Sequence, residues 1–178
     1  MIDSTPFTAT VGRLERFYGH PKRPKTTDPL EIILLENVAY LADDEKRATA
    51  FAALKKKVGT RPQQILKASL QQLEEITRMG GIVPALRAQR LRQCAELVHF
   101  IFKDDLAAEL KKPIAQAKKS LKRFPTIGDP GAEKILMLTR SYPVLALESN
   151  GLRVLLRLGY AEEKKSYIPL AIAVCRRR

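Results

Sequence analysis

The stretch LKRFPTIGDPGAEKILMLTRSYPVLALESNGLRVLLR, Leu121–Arg157, decides the fold. A basic helical run, Ala115–Phe124, leads into it and meets Pro125-Thr126-Ile127-Gly128, and a second helical run follows from Pro130 to Leu138. Pro125 lacks an N–H and clashes with the preceding turn, so it stops the first helix. Gly128 is expected to give the reversal its backbone freedom. Asp129 is expected to cap the second helix, with Pro130 at the first position, where a missing N–H costs nothing. The pattern predicts a helix, a very short hairpin and a second helix whose first amides point outward. Such a helix end, with free N–H groups and a positive dipole, favours an anion. Among so many lysines and arginines the expected anion is a nucleic-acid phosphate.

The whole chain carries that charge. Of 178 residues, 32 are Lys or Arg and 19 Asp or Glu, a net charge of +13, while hydrophobic residues make up 45%. The apolar content suffices for a core, and the positive field draws in polyanions: nucleic acid first, an acidic membrane surface second. No run approaches the roughly 18 apolar residues of a membrane span. The opening MIDSTPFTATVGRLERF lacks the basic-then-apolar layout of a secretory signal, so a cytoplasmic protein, nucleoid-associated in a bacterium, is expected. Cys94 and Cys175 are too few for a disulfide framework.

In chain order the periodicity predicts helices throughout and no convincing β-alternation. Phe7–Tyr18 places Val11, Leu14 and Phe17 at helical spacing. Gly19–Pro29 is a proline-rich, basic linker. Asp28-Pro29 then opens an apolar, buried helix to Leu41, and Asp43–Val58 follows with Ala48, Phe51 and Leu54 inward. Pro62–Ala68 and Leu70–Met79, the latter capped by Ser69, end at Gly80-Gly81. Pro84–Phe102 is long, with Leu86, Leu91, Leu97 and Val98 inward and His99 in the core. Asp104–Leu110 leads to the hairpin, Gly151–Leu158 resumes after it, and the tail IPLAIAVCRRR is helical or extended. The class is all-α.

FPTIGDPGAEKIL resembles the helix-hairpin-helix of the base-excision DNA glycosylases related to endonuclease III and the adenine glycosylase, whose pattern runs Leu-Pro-Gly-Val-Gly into a helix. The family carries a catalytic Asp further on, in contexts like Leu-Asp-Gly-Asn-Val-Lys-Arg-Val-Leu; here the matching run is Leu147-Glu148-Ser149-Asn150-Gly151-Leu152-Arg153-Val154-Leu155. Upstream, ILLENVAYL at Ile33–Leu41 is similar to the adenine glycosylase segment that holds a catalytic Glu, matching Glu36. The resemblance implies a two-lobed helix-hairpin-helix glycosylase fold. One lobe would be 29–140 with the hairpin at 124–131, the other 1–28 plus 141–178, together one compact unit. DNA would cross the cleft, and a flipped damaged or mispaired base would enter between Glu36 and Glu148.

Removing a base builds positive charge on the sugar, which a carboxylate at Glu148 could stabilise. The competing reading of Glu148 is a helix cap. Glu36 lies in an apolar run, where a charge is expensive unless paired or functional. Its competing reading is an exposed or arginine-paired residue. Tyr40 and Leu41 match positions that enter the DNA or touch the displaced base in relatives. The other DNA-facing residues are Thr126, Ile127 and Gly128 of the hairpin, with Lys118, Lys119, Lys122, Arg123, Lys134 and Arg153 around them.

The sequence also departs from the family. Bifunctional relatives place a nucleophilic Lys where Pro130 stands, and proline cannot form a Schiff base. Thr126 replaces a usual Gly, and Glu148 replaces Asp. Two cysteines cannot hold an iron–sulfur cluster, which needs four. No other cofactor or metal is expected, although a monovalent cation on hairpin carbonyls is compatible with the resemblance. The expected protein is a monomer that binds damaged or mispaired double-stranded DNA and acts as a monofunctional N-glycosylase. The alternatives are the same fold binding altered DNA without turnover, and a basic helical protein that binds RNA or another protein.

Overall fold

Local stop and start signals divide the chain into helices, and the computed structural model describes residues 7–20 and 26–160 of it. Linker residues 21–25 and the tail after Tyr160, with Cys175, lie outside the described residues. The helices are α1 Phe7–Tyr18, α2 Pro29–Val38, α3 Asp44–Lys57, α4 Pro62–Lys67, α5 Leu70–Arg78, α6 Pro84–Glu96, α7 Leu106–Leu110, α8 Ile114–Leu121, α9 Asp129–Leu138 and α10 Ser149–Arg157. Among the described residues the protein is all-α; its extended pairing is a single bridge between Tyr40 and Gly81.

The chain forms two units. One is Thr26–Val144; the other joins Met1–Lys25 to Leu145–Arg178. In the first, α2 is apolar on nearly every side, and Leu30, Ile32, Ile33, Leu34, Asn37 and Val38 are buried. A helix with no polar face belongs inside a bundle. It packs against α3, α6, α7 and α9, while α6 also packs on α4 and α5. Each fully buried aliphatic side chain, such as Ile33 or Leu34, contributes about 1.5–3 kcal/mol. The Asp28 carboxylate accepts from the Glu31 N–H at 2.8 Å, and Ser69 and Gln72 form a reciprocal cap on α5. Both follow the sequence signals.

Other expectations are corrected. α2 ends at Val38, three residues before Leu41, because Ala39 turns extended and the Tyr40 N–H donates to the Gly80 carbonyl at 2.9 Å. α6 gives way to a π-turn over Leu97–Ile101, where the Phe102 N–H reaches back to Leu97. The inserted residue rotates Phe102 into the core, where it stacks on Phe124 at 5.8 Å, and leaves Phe100 exposed. His99 is half-buried against Asp104 at 3.0 Å rather than in the core. Leu86 is exposed because the inward stripe of α6 runs through Arg87, Ala88, Leu91, Cys94 and Ala95, one residue out of step with it. Ala48 likewise lies off the Ala50–Leu54 stripe of α3 and is exposed. α8 stops at Leu121, so Phe124 is buried in the turn and not in the helix.

In the second unit, α1 buries none of its residues; Phe17 is 81% exposed, and Leu14 is exposed too, against the amphipathic expectation. Leu14 and Phe17 line an open groove of about 650 Å³ with Val154, Leu158 and Tyr160. Thr10 and Tyr160 hydrogen-bond at 2.6 Å, and the Phe7 and Tyr160 rings meet edge-on, tying α1 to the end of α10.

The hairpin is locked to α2 by one buried amide. Asn37 Nδ2 donates to the Pro125 carbonyl at 3.3 Å and to the Ile33 carbonyl at 3.0 Å, and its Oδ1 accepts from Thr126 Oγ1 at 3.3 Å. Asn37→Ala removes these bonds and leaves hairpin groups unsatisfied. It should destabilise the protein by about 2 kcal/mol, read as a lower urea midpoint with an unchanged slope.

Candidate nucleic-acid interface

The hairpin is built differently from the sequence expectation. Thr126, not Gly128, takes the left-handed backbone, with φ 67; Gly128 is extended, at φ −92 and ψ −168. A β-branched residue in that region is strained by about 1–2 kcal/mol. The Thr126 bond to Asn37 helps to hold it there. The Ile127 N–H donates to the Phe124 carbonyl at 3.2 Å and its side chain is buried, so that amide is not available to a phosphate. Outward donors fall instead to Gly128 and the first turn of α9.

Asp129 is not the cap. Gly128 occupies the cap position without a side-chain bond, and Asp129 is the first helical residue. Its carboxylate faces α8, where Lys122 Nζ lies 3.2 Å away and Lys118 Nζ 3.5 Å away. Burial works against this carboxylate, but hydrogen bonds and charge from Lys122 and Lys118 outweigh it and hold its pKa below the usual range. Lys118 also meets Glu133 at 2.8 Å. Burial disfavours the Lys118 charge, and the bond to Glu133 reverses that, raising its pKa. Two of the expected phosphate-binding lysines are thus partly neutralised from α9. Lys119 is exposed beside them, and Arg123 lies over the Phe102 ring at 5.6 Å.

Glu36, one residue before Asn37, is partly buried and pairs with Lys134 of α9 at 2.8 Å. Tyr40 and Leu41 follow the end of α2, outside the helix; Leu41 has φ 48 and is 75% exposed. A second loop, Gly80–Val83, lies against them. It carries exposed Ile82 and Val83, the latter also at φ 48, and was not singled out in the sequence because short apolar loop residues look like ordinary helix flanks. Arg87, 1% exposed, was missed for a similar reason: it sits in a helix full of solvated charges. Its guanidinium donates to the carbonyls of Val38, Gly81 and Ile82. Burial lowers its pKa, yet an arginine so ligated remains cationic.

In the other unit, Glu148 is exposed at the cap position of α10 and makes no capping bond. The competing cap reading is therefore not realised by its side chain. Arg153, also exposed, donates to Asn150 at 3.5 Å. Among the described residues no group of three or more His, Cys, Asp or Glu could hold a metal, and no helix is long and apolar enough to cross a membrane.

The sequence matches no family model and no curated protein. The backbone does match solved structures. A non-covalent endonuclease III–DNA complex superposes with a TM-score of 0.74 at 15% identity, covering 98% of this chain and 77% of that one. A trapped endonuclease III–DNA covalent intermediate gives 0.71 at 16%, covering 98% and 76%. The H. pylori 3-methyladenine DNA glycosylase bound to 1,N6-ethenoadenine gives 0.72 at 17%, covering 94% and 78%. This is the helix-hairpin-helix DNA glycosylase fold.

Within the glycosylase fold the hairpin, Glu36 and the two apolar loops all surround the end of α2. The charge pairs around the hairpin set an acid limit on stability. Asp129 has a depressed folded-state pKa, so its contribution is full above the unfolded value of about 3.9 and is lost as pH falls through the folded one. Asp129→Asn should flatten the stability–pH curve below about pH 4 and leave Lys122 without its carboxylate partner, while Lys118 keeps Glu133. Urea unfolding between pH 2.5 and 7 checks this; parallel curves for variant and wild type would contradict it.

Proposed function

We propose that this protein is a DNA-binding base-excision repair protein of the cytoplasm or nucleoid, acting as a monofunctional N-glycosylase on a damaged or mispaired base. The observation that carries the reading is the Asn37-locked hairpin beside a basic α8 within a glycosylase fold. Gly128 and the first turn of α9 receive one phosphate, and Lys119, Lys122, Arg123 and Arg153 receive others. Leu41 and Ile82, on adjacent loops, displace stacked bases. With the base extruded, the Glu148 carboxylate stabilises positive charge on the sugar while water attacks. Pro130 offers no amine, so no lysine-dependent strand cleavage accompanies excision. No cofactor takes part.

One observation favours a second reading, a binder of altered DNA that does not turn over. The Glu36 carboxylate is already matched by Lys134, as a structural ion pair would be.

Affinity for duplex should fall steeply with salt, with about five or more phosphates neutralised. Reversing charge at Lys122 and Arg123 together should weaken binding to all sequences alike, by electrophoretic or anisotropy titration. A loss confined to one sequence would mean base readout instead.

Turnover on a panel of lesion-bearing duplexes separates the readings. Glu148→Gln should lower excision at least about a hundredfold, close to 3 kcal/mol of transition-state stabilisation, with binding nearly unchanged. Glu36→Gln should reduce it less. Tight binding to abasic duplex with no excision of any base by the wild type would establish the non-catalytic reading.

A further inference from the structure

Arg87 is an unusual residue to find in a core. Its side chain is almost wholly buried, and among the described residues no carboxylate pairs with it. An unpaired buried charge costs several kcal/mol, so a cation persists there only where strong acceptors replace water. Three main-chain carbonyls do so. Nε donates to Ile82 at 2.7 Å, one terminal nitrogen to Gly81 at 2.7 Å, and the other to Val38. Val38 is the last residue of α2, where the negative end of the helix dipole favours a cation. One planar fork therefore ties the end of α2 to the loop 80–83.

The two chain segments it joins lie so close that neither leaves room for a side chain at Gly80 or Gly81. The Tyr40 N–H donates to the Gly80 carbonyl at 2.9 Å. A side chain at Gly81, which has φ 106, would put its Cβ 2.3 Å from the Tyr40 carbonyl oxygen, and one at Gly80 would meet the Val38 oxygen at 2.4 Å. Immediately beyond this junction the chain displays its apolar tips. Leu41 follows Tyr40, Ile82 and Val83 follow Gly81, and Leu41 and Val83 both hold a left-handed backbone that costs a branched or bulky residue energy. Such strain persists only where the surroundings over-determine it.

We infer that Arg87 is a positioning residue: by ligating carbonyls from both segments it fixes Leu41 and Ile82 as one rigid apolar wedge that unstacks the duplex. The inference rests on the proposed DNA function for the word duplex, but the brace itself can be read without DNA. Lysine has the charge of arginine and a single point of donation, so Arg87→Lys keeps the cation and loses the fork. Gly81→Ala forces the segments apart and so moves the Gly81 carbonyl that Arg87 ligates, while Arg87 itself is kept.

Two measurements on the full chain test this. In hydrogen exchange, the Tyr40 amide should exchange at least about tenfold faster in both variants, while the amides of Ile33 and Leu34 keep their protection. In DNA binding, a duplex carrying 2-aminopurine beside an abasic analogue should brighten on addition of wild type. Both variants should lose most of that gain, at least about fivefold, with an unchanged salt slope because the phosphate contacts lie elsewhere. Unchanged Tyr40 exchange in Arg87→Lys overturns the brace, whatever the DNA does. Faster exchange with undiminished brightening makes Arg87 merely structural and overturns the positioning role. Wild-type binding with no brightening removes the wedge from the proposed function and the positioning role with it, leaving the exchange result to stand for the brace alone.

Discussion

Three consecutive residues at the end of α2 reach three different parts of the larger unit. Glu36 pairs with Lys134 of α9, the Asn37 amide bonds the hairpin at Pro125 and Thr126, and the Val38 carbonyl accepts from Arg87. A helix turn points successive side chains in directions about 100° apart, so adjacent residues can serve separate neighbours only if the helix is surrounded. That is why α2 must be buried on nearly every side, and why its sequence is purely aliphatic between Glu31 and Glu36. The polar groups appear where the helix ends and its last carbonyls need partners. The hairpin and the two apolar loops take their positions from this turn.

The electrostatics are less one-sided than the net charge suggests. A surplus of +13 gives a field that attracts polyanions from a distance. Close to the hairpin, however, Asp129 and Glu133 engage Lys118, and Asp129 also engages Lys122. On the proposed function, such partial neutralisation would cost affinity at each phosphate but would fix long side chains in place before DNA arrives, saving part of their ordering entropy. Lys119 and Arg123 remain to supply net attraction. On the proposed function the field would draw in the duplex, while the paired residues give the surface its shape.

The sequence disclosed those features that depend on neighbouring residues. Asp28 with Pro29 and Ser69 ahead of Leu70 act over one turn, and each was readable. Features fixed by distant contacts were not. The reversal places its left-handed residue at Thr126 because Asn37, far away in sequence, holds both Thr126 and the carbonyl before it; local propensity alone favours glycine, and pointed to Gly128. Asp129 has the sequence of a cap, yet lysines from α8 draw its side chain outward from that role. Arg87 and Leu86 exchange the burial that hydrophobicity assigns them because the Val38, Gly81 and Ile82 carbonyls converge on one and not the other.

The same logic narrows the chemistry. A nucleophilic amine near the hairpin would need to be close and free. Pro130 has none, and Lys134, one turn later, is held by Glu36. The Lys134 nitrogen, 2.8 Å from the Glu36 carboxylate, is engaged in that contact and not free to attack a sugar carbon. Freeing it would mean breaking the contact that joins α9 to the end of α2. On the proposed function, bond cleavage falls to water and a carboxylate, and Glu148 is exposed at the start of α10, where the helix dipole favours an anion and no capping bond engages it. A glutamate is one methylene longer than aspartate, so its charge reaches further from the helix on a freer side chain.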